Sequence, residues 1–143
     1  MTSLSFSVLG VACPYVRVGP INRHGNVHED TKYRHWKSQI EDAARGAIER
    51  SGWKTARGAV RCDVTIVLIR RPTKKPRKSP AARPIAAKSI GDLDNLAKGV
   101  FDGCQRAGVF RNDSQVVSAV LEKRWQAPRE DFAGAIVRVE VLE

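Results

Sequence analysis

The sequence predicts an α+β fold in one domain, on three observations. Two segments carry apolar residues at helical spacing, four carry the alternating or continuous apolar runs of strands, and no internal repeat or second core is present. The elements follow in the order strand, helix, strand, basic arm, helix, strand, strand, within a single domain spanning 1–143. At 143 residues and 42% hydrophobic content, one core can bury roughly two thirds of the chain's surface, so folding needs no covalent staple.

Leu4-Ser5-Phe6-Ser7-Val8-Leu9 alternates apolar with small polar residues and predicts the first strand, resumed at Tyr15-Val16-Arg17-Val18 after Pro14. Residues 19–29 read as a loop. From about Asp30, the residues Tyr33, Trp36, Ile40, Ala43, Ala44, Ala47 and Ile48 form a helical stripe that Ser51-Gly52 ends. Arg61 to Ile69 has apolar residues on both faces, the pattern of an interior strand. A second helix is predicted from about Leu93 to Ala107, with Leu93, Leu96, Ala97, Val100, Cys104 and Ala107 buried and Gly108 closing it. Gln115 to Trp125 and Gly134 to Leu142 read as the last two strands, with Pro128 to Asp131 in a turn between them.

The charge is concentrated. With 25 basic and 15 acidic residues the chain carries a net +10, and Arg70, Arg71, Lys74, Lys75, Arg77, Lys78, Arg83 and Lys88 supply eight of those charges with no acid among them, leaving +2 elsewhere. Pro72, Pro76, Pro80 and Pro84 keep the same stretch out of helix and central strand. The segment at about 70–90 is therefore a basic, Pro-rich arm. Such an arm suits a polyanion, because each Lys or Arg that neutralises a phosphate releases counterions and gives salt-sensitive binding without reading a base.

Other classes fall away. No run approaches the roughly 18 apolar residues a membrane span requires, and Met1-Thr2-Ser3-Leu4 has no charged lead before an apolar run, so neither membrane insertion nor secretion is expected. Cys13, Cys62 and Cys104 are odd in number and far apart, which predicts free thiols in a reducing compartment and no structural zinc. Gly25 between His24 and His28 argues against a helical ligand pair, so these and His35 read as surface histidines. Trp36 belongs to the first helix's stripe, and core positions are expected for Trp53 and Trp125.

Acids gather beyond the arm, in Gly91-Asp92-Leu93-Asp94-Asn95-Leu96-Ala97-Lys98 and Arg111-Asn112-Asp113-Ser114-Gln115. Hard cations such as Mg²⁺ take oxygen ligands, so Asp92, Asp94 and Asp113 meeting at one point would make a site for metal-assisted phosphodiester hydrolysis. Two acids at i and i+2 inside a helix would diverge by about 200°. Asp92 must therefore precede the helix for the two to converge, with Asp94 in the first turn and Lys98 four residues later on one exposed face. The same residues also suit purely structural roles: Asp92 as a helix cap, Asp94 as a first-turn acid paired with Lys98, and Asn112-Asp113-Ser114 as a turn.

Asp92-Leu93-Asp94-Asn95-Leu96 with Lys98, followed after one helix by Asn112-Asp113-Ser114-Gln115-Val116, resembles the signature of the RusA-type Holliday junction resolvases. The resemblance is clear over about residues 88–125, and the order of elements agrees elsewhere. It implies two helices packed on a mixed β-sheet and a symmetric homodimer. It also implies a Mg²⁺- or Mn²⁺-dependent endonuclease that nicks two opposed strands of four-way DNA junctions, in the cytoplasm of a bacterium or of a phage's host. Carried over by position, the implied active site is Asp92, Asp94, Lys98 and Asp113, the aspartates holding the metal. The chain departs from the family in having Ile90-Gly91 where K-P is common, Asn112 where a second acid is common, and only Arg17 and Arg23 in a usually basic N-terminal loop. These departures move phosphate contacts toward the 70–88 arm and remove no implied ligand. Two rival functions fit the same composition: a non-enzymatic nucleic-acid binder, and a nuclease for flaps or other branched DNA.

Overall fold

Alternation in the first segment is realised as β1, Ser3–Leu9, where Leu4, Phe6 and Val8 are buried while Ser5, Ser7 and Leu9 face out. The computed structural model describes residues 2–15, 31–69 and 92–142. The remaining elements are α1 (Thr31–Ser51), β2 (Val60–Leu68), α2 (Leu93–Ala107), β3 (Val116–Trp125) and β4 (Gly134–Val141). The expected arm and the resumption of strand one at 16–18 lie outside the described residues. Tyr15 itself joins no strand; its backbone N–H donates to the Asn95 carbonyl at 3.0 Å.

The four strands form one mixed sheet in the order β1-β4-β2-β3, with β4 antiparallel to both β1 and β2, and β3 parallel to β2. Parallel neighbours need a crossover, and α2 lies on it. Both helices cover one face of the sheet. Trp36 and Ile40 of α1, Leu96, Val100 and Cys104 of α2, and the inward residues of β1, β2 and β4 share one core. Each fully buried aliphatic side chain there contributes on the order of 1.5–3 kcal/mol. Val137 and Val139 belong to this core, whereas Val117 on the edge strand is 63% exposed.

The helices approach closely because α2 presents two glycines to α1. A Cβ on Gly99 would stand 2.9 Å from Trp36 Cδ1, and one on Gly103 would stand 2.6 Å from Ile40 Cγ2 and 3.0 Å from the Lys37 carbonyl. Trp53 is buried as expected, and its indole N–H donates to the Val109 carbonyl at 3.0 Å. Trp125 is only partly buried against the core. Beyond β3, Glu130 accepts two 2.8 Å bonds from Arg124, and that guanidinium holds its carboxyl below the ordinary carboxylate range. All three cysteines are free, and burial pushes the Cys62 thiol up to about 12, so it is no nucleophile near neutrality. No helix of the described residues is long and apolar enough to cross a membrane.

Candidate functional site

The acids are placed by the two ends of α2. At its start Asp92 occupies the N-cap with extended backbone (φ −72°, ψ 148°), and its carbonyl accepts the first helical bond from Leu96 N–H at 3.0 Å. Its carboxylate makes no capping bond, so the structural role open to it is not taken. Asp94 follows in the first turn, and both side chains are exposed. At the other end Gly108 adopts the left-handed conformation (φ 88°) and its N–H closes the helix on the Gln105 carbonyl, a backbone shape that favours glycine.

The chain then enters a 3₁₀ turn, Asp113–Gln115, held by a dense set of bonds. Asn112 Oδ1 accepts from Ser114 N–H at 2.9 Å, while Gln115 Oε1 accepts from the N–H groups of Arg111 and Asn112 at 2.8 and 2.9 Å. Gln115 Nε2 donates to the carbonyls of Ala56 and Gly58, tying the turn to the loop before β2. The Asp113 N–H donates to Gln105 Oε1 at 3.1 Å. Gln115 thus caps the turn and does not open the strand as its sequence position suggested; β3 begins at Val116. The backbone around Asp113 is pinned, and its carboxylate is left exposed.

Gln105 stands eleven residues after Asp94, which separates them by on the order of 16 Å along the helix axis. Asp113, tethered to Gln105, therefore sits at the far end of α2 from Asp92 and Asp94. Carboxylates that share Mg²⁺ must each reach about 2.1 Å from it, which requires them to meet at one point. Among the described residues no three His, Cys, Asp or Glu side chains gather as a metal site within one chain. As donors the residues still suit a hard cation. Asp92, Asp94 and Asp113 present exposed carboxylate oxygens, and among the described residues none of them is in an ion pair.

Lys98 lies between the two ends, on the face of α2 that carries Asp94. It does not pair back to Asp94, as helical spacing suggested, but forward to Asp102, with Nζ 3.7 Å from Oδ1. The other carboxylate oxygen of Asp102 accepts a 2.6 Å bond from the Tyr33 hydroxyl on α1, and Lys98 Nζ lies 5.1 Å from the centre of the Tyr15 ring. Sequence reasoning missed Asp102, Gln105 and Gln115, and saw Tyr33 only as core. The signals were there: Lys98 to Asp102 is a four-residue helical step, and Asn112 to Gln115 matches a capping box. Arg70, Arg71, Lys74, Lys75, Arg77, Lys78, Arg83 and Lys88 lie outside the described residues.

No curated protein matches the chain. The family model for endodeoxyribonuclease RusA matches residues 13–140, a span that includes both acidic stretches, Lys98 and all the elements except β1 and the last residue of β4. The chain accordingly belongs to the RusA family of endodeoxyribonucleases, the Holliday junction resolvases.

Proposed function

We propose that this chain resolves four-way DNA junctions by metal-dependent hydrolysis, working as a homodimer that makes paired symmetric nicks. The observation that carries the reading is the set of carboxylates at positions 92, 94 and 113, exposed and, among the described residues, in no ion pair. Asp92 and Asp94 of one copy, with Asp113 of a second, would hold Mg²⁺ or Mn²⁺. The length of α2 supports sharing between copies, since one chain keeps the two groups at opposite ends. A two-fold dimer would build two equivalent centres this way, which suits two nicks on opposed strands.

A divalent ion at such a centre supplies positive charge for the phosphoryl oxygens and lowers the pKa of a water. Lys98 brings an ammonium to the same face, a compact charge suited to the phosphate as negative charge builds on it. The basic arm at 70–88 grips the DNA backbone and adds affinity without sequence choice. The free thiols suit a reducing cytoplasm.

The test is cleavage of a synthetic four-way junction with Mg²⁺ or with chelator, alongside a flap and a linear duplex. Paired symmetric nicks in the junction, lost with chelator, are expected. Asp92→Asn, Asp94→Asn and Asp113→Asn should each slow cleavage by about a hundredfold or more while junction binding holds or tightens, since a negative charge near phosphate is removed. A shifted complex with intact strands would leave a passive binder, and preferential cutting of the flap would leave a nuclease for other branched DNA.

A further inference from the structure

Lys98 has a long, flexible stem, yet its ammonium is held from two sides while the side chain stays 40% exposed. Asp102 Oδ1 is 3.7 Å away, and the face of Tyr15 lies 5.1 Å below it. Both supports are themselves fixed. The Tyr33 hydroxyl, from the other helix, orients the Asp102 carboxylate through its 2.6 Å bond, and Tyr33 is 1% exposed, so this donor is part of the core. Tyr15 packs edge-on against Tyr33 at 5.3 Å, and its backbone is tied to Asn95 of α2. Helix stability does not explain the pair, because a lysine preceding its acid by four residues is the weaker order for an exposed helical ion pair. The arrangement has a directional effect: Asp102 lies one turn after Lys98 and Asp94 one turn before it, so the ammonium is drawn away from Asp94.

We infer that Asp102, oriented by Tyr33, is the positioning residue for Lys98, holding its ammonium over Tyr15 and off Asp94 so that the acids stay open to a cation and the charge waits where phosphate arrives. This rests on the reading of Lys98 as part of the cleavage site. Asp102 touches no reacting group in this account and acts only through Lys98.

The experiment measures single-turnover cleavage of a four-way junction and junction affinity for the full chain, for Lys98→Ala, Asp102→Asn and Tyr33→Phe, and for the double variant Lys98→Ala with Asp102→Asn. Asp102→Asn keeps the shape and can still accept from Tyr33, so the fold is expected to survive, and Tyr33→Phe probes the same link from a second side. The expected result is a cleavage rate about tenfold lower for Asp102→Asn and about threefold lower for Tyr33→Phe, with affinity within about twofold of the parent. In the Lys98→Ala background the Asp102 change should have no further effect. Cleavage by Asp102→Asn at the parental rate, or an undiminished further loss in the Lys98→Ala background, would overturn the positioning role. Full activity of Lys98→Ala would instead overturn the role given to Lys98 itself, and the two failures are thereby told apart.

Discussion

Gln115 pins the turn that carries Asp113. Its amide accepts from two backbone N–H groups and donates to two carbonyls across the loop before β2, so one side chain satisfies four backbone groups. Net contributions of such bonds are about 0.5–1.5 kcal/mol each, and Gln115→Ala should cost roughly 2–3 kcal/mol in urea unfolding, with slower junction cleavage because the turn is no longer tied down. An unfolding midpoint unmoved by the change would show that water replaces the amide without loss. Asp92, Asp94, Lys98 and Asp113 were legible as candidates through the RusA-like motif, a D-x-D-N with a lysine one turn later and an aspartate beyond the helix. Their partners were not. A sequence shows that Lys98 has acids four residues before and after it, but the choice of Asp102 is made by the Tyr33 hydroxyl, which comes from a helix far away in the chain.

Both helices were legible to within a residue or two because α1 and α2 each bury a continuous stripe and end at a glycine. The closeness of their packing was not, since nothing in the apolar spacing of α2 marks Gly99 and Gly103 as its contact points with α1. Replacing Gly103 by Ala tests which property governs. Helix propensity alone would stabilise by about 1 kcal/mol, while overpacking costs about 1–3 kcal/mol. The added methyl would meet Ile40 Cβ at 2.7 Å and the Lys37 backbone carbonyl at 3.0 Å, and a backbone atom cannot yield cheaply. Gly103→Ala is therefore expected to lower stability by about 1–2 kcal/mol in denaturant melts, and a stabilised variant would contradict the packing described. The strands were found by alternation or, for β2, by the two-sided apolar run of an interior strand, but the order of their neighbours was not. β3 and β4 follow one another across a short turn, yet β4 inserts between β1 and β2, because β3 leaves the α2 crossover parallel to β2 and takes the edge beside it.

For the molecule as a whole, the sequence pointed to acids converging on one cation, and the single chain holds them apart along α2. That separation is why the account requires two copies, with Asp92 and Asp94 of each facing Asp113 of the other. Subunit mixing decides it. A heterodimer of one Asp94→Asn chain and one Asp113→Asn chain, purified through two different tags, would contain one doubly altered centre and one intact centre if the acids are shared between copies. The expected result is restored Mg²⁺-dependent nicking of one strand of a four-way junction, although each variant alone binds the junction without cutting. A heterodimer that binds the junction and leaves every strand whole would contradict the shared site.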